Sequence, residues 1–226
     1  MIRILSAVLL IVSLSACGAL PERSDTRPPR SGSAAPVLTP SPAAQQCLAK
    51  LGQSGSRFTT VPDAYYGTGC STLNAVTLQD VRSDTGPVGI RNLGPVACPT
   101  ATSFAAWGRF AVDRAARQIL GSSLVRIDTM GSYACRNVAG TSRRSAHSRA
   151  EAIDIAGFVL ADGRRISVRD DWFAGTAQER EFLRIIHRSA CRRFGTVLGP
   201  DYNNAHRDHF HVERGHGGAA GSGYCR

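Results

Sequence analysis

Lysine is nearly missing from this chain. Lys50 is the single one among 27 basic residues, so a formal net charge of +10 rests almost entirely on arginine. The arginines are scattered along the sequence rather than gathered in one run; a basic surface can meet nucleic acid, but the export features of the sequence make that partner unexpected. No CxxC pair occurs, which disfavours zinc ribbons and thioredoxin-like redox motifs. There is no internal repeat, so solenoid architectures drop out. Long apolar runs are also lacking: the one that exists, Ile4 to Leu14, is too short to span a bilayer comfortably as a helix.

That run fits the core of a signal peptide behind the charge of Arg3. It leads into Leu14-Ser15-Ala16-Cys17, small residues before a cysteine, which resembles a bacterial lipobox. The expectation is a signal peptide over 1–16 and lipidation of Cys17, which would anchor the chain to a membrane without a spanning helix. Gly18 rather than Asp after the cysteine points to the outer membrane, facing the periplasm. The other six cysteines, Cys47, Cys70, Cys98, Cys135, Cys191 and Cys225, are an even number in an exported chain and read as a disulfide framework. Sequence cannot choose the pairing. Neighbours close the shortest loops, which favours Cys47–Cys70, Cys98–Cys135 and Cys191–Cys225.

Residues 17–44 are rich in Pro, Ser and Arg and poor in large apolar side chains, the composition of a flexible tether. The remainder, 45–226, has the size of one domain. Within it, strands are expected at Leu73–Val81, Pro87–Ile90, Leu124–Met130, Ala152–Leu160, Arg164–Val168 and His209–Glu213. A helix is expected over Ser103–Leu120, capped by Thr102 or Ser103 and ended by Gly121. A second over Thr176–Phe194 has a Thr176/Glu179 capping box and Gly195 at its end. The pattern implies an α+β domain, a small antiparallel sheet with flanking helices, stapled by disulfides.

Three of the six histidines, His206, His209 and His211, fall close together in one stretch ending in Asp208-His209-Phe210-His211-Val212-Glu213. On an extended segment His209 and His211 share a face. Upstream stand His147 and, seven residues on, Asp154. On Ala152–Leu160, Ile153 and Ile155 face one way while Asp154 faces the other, beside the small Ala152 and Ala156. Taken alone, Asp154 reads better as a solvated surface residue on an edge strand. Joined, a His, an Asp and a late His are the ligands of an open zinc site. The remaining candidates read more plainly: His187 as an exposed helix residue among arginines, Trp107 and Trp172 as core, His216 as part of a Gly-rich tail. His206 is either a neighbour of the site or a loop residue.

The run Ser145-x-His147 with Ala152-x-Asp154, followed by Asp208-x-x-His211, resembles the signature of the zinc D-Ala-D-Ala peptidases, and His209-x-His211 resembles the H-x-H of lysostaphin-like endopeptidases. The flanks Gly131–Arg136, Ala152–Phe158 and Phe194–Asn203 resemble the bacterial extensin-like C-terminal domain family, over roughly Cys47 to Cys225. This resemblance implies a zinc D-Ala-D-Ala peptidase-like core in which His147, Asp154 and His211 bind Zn²⁺. It further implies Asp208 as general base, His209 beside the attacking water or the oxyanion, Arg136 as an oxyanion stabiliser and Ser145 as a turn residue. Where the signature has Gly after the first His, this chain has Ala150, which would be strained if the position requires φ > 0. The implied function is a zinc peptidase cutting peptidoglycan stems or cross-links. The alternative is a non-catalytic peptidoglycan-binding or envelope-organising lipoprotein on the same fold.

Overall fold

The structure, a computed structural model, describes residues 40–215 and 224–226. The expected signal peptide, the lipidated Cys17, nearly all of the tether and the tail around His216 lie outside the described residues. Helix α1 (Pro42–Gln53) opens the described chain, so the fold begins slightly before residue 45. The Ser41 hydroxyl caps it by accepting from the Ala44 N–H at 3.2 Å. No helix among the described residues is long and apolar enough to cross a membrane.

Strands β1 (Arg57–Val61), β2 (Ala64–Gly67), β3 (Cys70–Thr72), β4 (Ala75–Arg82), β5 (Pro87–Arg91) and β6 (Pro95–Ala97) follow. A continuous helical rod comes next: α2 (Cys98–Trp107), a π-helical turn at Gly108–Asp113, and α3 (Arg114–Leu120). Then come β7 (Leu124–Gly131), β8 (Ala152–Leu160), β9 (Arg165–Ser167), α4 (Val168–Ala174), α5 (Ala177–Ala190), β10 (Thr196–Leu198), β11 (Phe210–Glu213) and β12 (Tyr224–Cys225). The main sheet has ten strands, ordered β1-β4-β5-β7-β8-β11-β10-β12, with β6 also on β4 and β9 also on β8. Strands β2 and β3 form a separate hairpin.

The sheet is thus large and mixed, not small and antiparallel. Strands β5 and β7 pair in parallel because the rod between them carries the chain back before it re-enters the sheet. Strands β10 and β12 are also parallel. The helix expected from Ser103 begins at Cys98 instead. Pro99 sits in its first turn, where a missing N–H is harmless, and the Thr102 hydroxyl bonds back to the Cys98 carbonyl at 2.9 Å instead of capping. Gly121 ends the rod as expected, in the left-handed region at φ +71°. The capping box at the start of α5 is present in both directions, Glu179 N–H to Thr176 Oγ1 at 3.3 Å and Thr176 N–H to Glu179 Oε2 at 2.7 Å. That helix stops at Cys191, short of Gly195.

One face of the sheet packs on the rod and α5. Trp107 and Phe158 rings lie 6.1 Å apart, Phe158 and Phe182 5.4 Å, and all three side chains are buried. Each such burial contributes roughly 1.5–3 kcal/mol. The buried Trp107 Nε1–H donates to the Ile186 carbonyl at 3.0 Å, which satisfies its one polar atom. Along β8 the buried positions change phase: Ile153 and Ile155, then Phe158 and Leu160. A bulge opposite Asp128/Thr129 takes up the extra residue. It lets Phe158 stay in the core while Asp154 points to the other face. Next to it Gly157 passes so close to β9 that a Cβ would meet the Ile166 carbonyl oxygen at 2.7 Å.

Two expectations fail on tertiary grounds. His187 is buried, not exposed, its ring packed edge-on to Trp172 and Phe210 at 5.5 and 5.1 Å. The disulfides are Cys47–Cys98, Cys70–Cys135 and Cys191–Cys225. The first joins α1 to the start of α2, which pack together. The second joins the β2–β3 hairpin to the loop after β7. Sequence proximity does not govern either pairing; the packing of distant elements does.

Candidate metal centre

The site forms where three segments meet on the sheet face away from the rod. Strand β11 pairs with β8 in a register that sets His211 directly opposite Asp154. On the other side of β8, Gly131 at the end of β7 is also opposite Asp154. There the chain leaves the sheet and returns through a 3₁₀ turn, Ala146–Arg149, which carries His147. Ser145 caps this turn, its hydroxyl accepting from the His147 N–H at 3.4 Å. Ala150 closes it at φ +56°, so the position does demand the left-handed region. The strain of about 1 kcal/mol is offset by backbone bonds: Ala150 N–H to the His147 carbonyl at 3.1 Å and Ala97 N–H to the Ala150 carbonyl at 2.8 Å. The hairpin clamps the loop from outside through Cys70–Cys135, Ser148 Oγ–H to the Gly69 carbonyl at 2.9 Å and Arg144 Nε–H to the Thr68 carbonyl at 3.0 Å.

Three donor groups converge. His147 Nε2 is 3.2 Å from Asp154 Oδ2, His211 Nδ1 is 2.9 Å from Asp154 Oδ1, and the two ring nitrogens are 3.2 Å apart. Both imidazoles are buried. His147 Nδ1 lies 2.5 Å from the Ser132 carbonyl oxygen. A carbonyl only accepts, so Nδ1 carries a proton toward Ser132 while Nε2 faces Asp154 and His211. The far nitrogen of His211, Nε2, faces Glu213 Oε2 at 3.4 Å.

This arrangement concentrates negative potential. Burial opposes ionisation of Asp154, but bonds from His147 and His211 outweigh it and hold the carboxyl well below the usual carboxylate range. Burial likewise disfavours charge on His211, yet its bonds to Asp154 and Glu213 push its pKa up to about 9. A buried carboxylate between two imidazoles thus favours positive charge at this spot.

The donor set fits a metal ion. Ligand atoms 2.0–2.1 Å from a tetrahedral centre stand roughly 3.3 Å apart, close to the separations observed here. The His/His/carboxylate chemistry is that of borderline divalent metals such as Zn²⁺. Ser132 and Glu213 supply the outer bonds that fix the ring orientation of metal-binding histidines.

Around the triad, His209 Nδ1 bonds Asp208 Oδ1 at 2.8 Å and His209 Nε2 approaches Asp154 Oδ1 at 3.6 Å. The bond from His209 holds the Asp208 carboxyl below its ordinary range, so it stays ionised. Arg136, half exposed, brings a guanidinium nitrogen to 3.9 Å from Asp154 Oδ2. The His206 ring is 5.2 Å from His209 and 5.9 Å from His211, and lies tilted against Tyr202 at 5.4 Å. Burial, followed by the neighbouring His209 and His211, lowers its pKa to about 4.

The family model for the extensin-like protein C-terminus matches residues 45–226. The chain belongs to that family. No curated protein and no solved structure matches it. In this extensin-like domain the fold gathers His147, Asp154 and His211 into one cluster, with His209 and Arg136 at its edge and Asp208 reaching it through His209. Sequence reasoning missed Ser132 and Glu213. The signal for Glu213 was available, since it lies two residues after His211 and shares its face. Ser132 acts through its carbonyl, which no side-chain pattern reveals.

Proposed function

We propose that this extensin-like protein is a zinc-dependent peptidase of the cell envelope that hydrolyses peptide bonds in peptidoglycan stems or cross-links. The observation that carries the reading is the convergence of His147 Nε2, His211 Nδ1 and the Asp154 carboxylate within 4.8 Å of one another, on a buried face. These three residues would hold the ion. Bound there, it supplies Lewis acidity, polarising a scissile carbonyl and acidifying the attacking water.

The chain's own residues supply the rest. Asp208, kept ionised and braced by His209, accepts the proton of the attacking water and returns it to the departing amine. One Asp208 oxygen bonds His209, leaving the other for this transfer. Arg136 faces the open side and stabilises the developing oxyanion. His209, between Asp208 and Asp154, keeps the base oriented. The export features of the sequence, an expected signal peptide and lipidated Cys17, support an envelope substrate and an outer-membrane, periplasm-facing location.

The test is Asp208→Asn in the full chain, incubated with purified sacculi and read as new amine termini. The expected result is bound zinc equal to wild type with hydrolysis abolished. Undiminished hydrolysis overturns the base assignment. Absent hydrolysis in the wild type, with sacculus binding that survives His147→Ala, shifts the reading to a non-catalytic peptidoglycan-binding lipoprotein.

A further inference from the structure

A second site lies apart from the triad. A cavity of about 610 Å³ opens between the starts of α1 and α2 and the segment after α5, and no triad residue lines it. Among the described residues its charged lining is Lys50, Arg192, Arg193 and Arg214, with no carboxylate. Several arginines elsewhere are matched: Arg57 with Asp80, Arg117 with Asp113 and Asp84, Arg126 and Arg165 with Asp128. Among the described residues, these four cations have neither a salt bridge nor a side-chain hydrogen bond.

The backbone adds the same sign. The first turns of α1 and α2 both border the cavity, through Ser41 and Ala44 and through Pro99 and Thr102. Neither has an acidic residue in its first turn, and α2 has no side-chain cap at all. Helix N-termini carry a partial positive charge that favours bound anions, here through the dipole rather than through free N–H groups, since Pro42 and Pro99 have none and Ala44 and Cys98 N–H are already bonded. Four like charges around one cavity repel one another unless an anion sits among them. Thr102 and Ser103 also line the wall, and the volume suits a small polar group.

We propose that this cavity binds a phosphate-bearing anion, held by Arg192, Arg193, Lys50 and Arg214. Arginine guanidinium groups match phosphate oxygens bidentately. The phosphate belongs either to a small soluble ester or to an anionic lipid headgroup, and Ser41 at the rim is where the expected membrane tether enters the domain.

The experiment uses the full chain carrying His211→Ala, so that phosphate does not report on the metal centre. Calorimetric titration with inorganic pyrophosphate tests the soluble arm. Co-sedimentation with phosphatidylglycerol vesicles, against phosphatidylcholine vesicles, tests the headgroup arm. Binding in either arm should weaken about tenfold or more in Arg192→Gln/Arg193→Gln and in Lys50→Gln to a smaller degree. It should persist in Arg82→Gln/Arg91→Gln, which removes equal charge away from the cavity. Thermal midpoints matching the parent show that the variants fold. No binding in either arm, or equal weakening in both double variants, overturns the proposal.

Discussion

Two disulfides of similar reach should have separable effects. Cys70–Cys135 closes a loop with a sequence separation of 65 and Cys47–Cys98 one of 51. Loop-closure entropy gives about 4 kcal/mol for each, since the dependence on loop length is logarithmic. Replacing either pair by alanine should therefore lower unfolding stability by a similar few kcal/mol in urea titrations. Their relation to the candidate metal centre differs. Cys135 sits in the loop between Ser132, whose carbonyl orients His147, and the His147 turn itself, and Cys70 tethers that loop to the hairpin. Cys47–Cys98 joins two helices that contribute no donor atom. Zinc affinity, measured by competition with a chromophoric chelator on the folded protein, should fall tenfold or more in Cys70→Ala/Cys135→Ala, the range typical for losing outer support of a ligand. It should stay near the parent value in Cys47→Ala/Cys98→Ala. Equal loss in both variants, or none in the first, refutes the view that the hairpin clamp preorganises the donor set.

Glu213→Ala should weaken zinc binding about 10–100-fold, because His211 loses the acceptor for its outer nitrogen, with little change in the thermal midpoint of the metal-free chain; chelator competition and a melt decide it. His187 predicts an acid-labile element. Its burial holds the pKa below the ordinary 6.5, so the folded state binds fewer protons there than the unfolded chain. The stability it permits is complete above pH 6.5 and declines as pH falls below that value. His187→Leu should flatten the fall of the urea midpoint on acidification relative to wild type, and an unchanged acid slope would show that His187 is not the group responsible.

Much of this was legible in the residues. Strand β8 was found with its true limits because Ile153, Asp154 and Ile155 alternate cleanly, and the Thr176/Glu179 box located the start of α5 because that bond pair is local. The short strands β3, β6, β10 and β12 hold too few residues for alternation to show, so the sheet read as small and the parallel pairs were invisible. The disulfide pairing escaped because it depends on α1 meeting α2 and on the hairpin meeting the loop after β7. His187 was misread from its arginine neighbours, although it lies four residues after the buried Leu183 and on the same helical face. The triad was legible as residue types at set spacings, but its closeness depends on the β8–β11 register and the left-handed Ala150.

The most direct measurement is elemental analysis of the purified full chain, wild type against His211→Ala. The account predicts close to one zinc per wild-type chain and none retained by the variant, with both chains folded by circular dichroism. A wild type that holds no metal after loading with Zn²⁺, or a variant that holds as much as wild type, would contradict it.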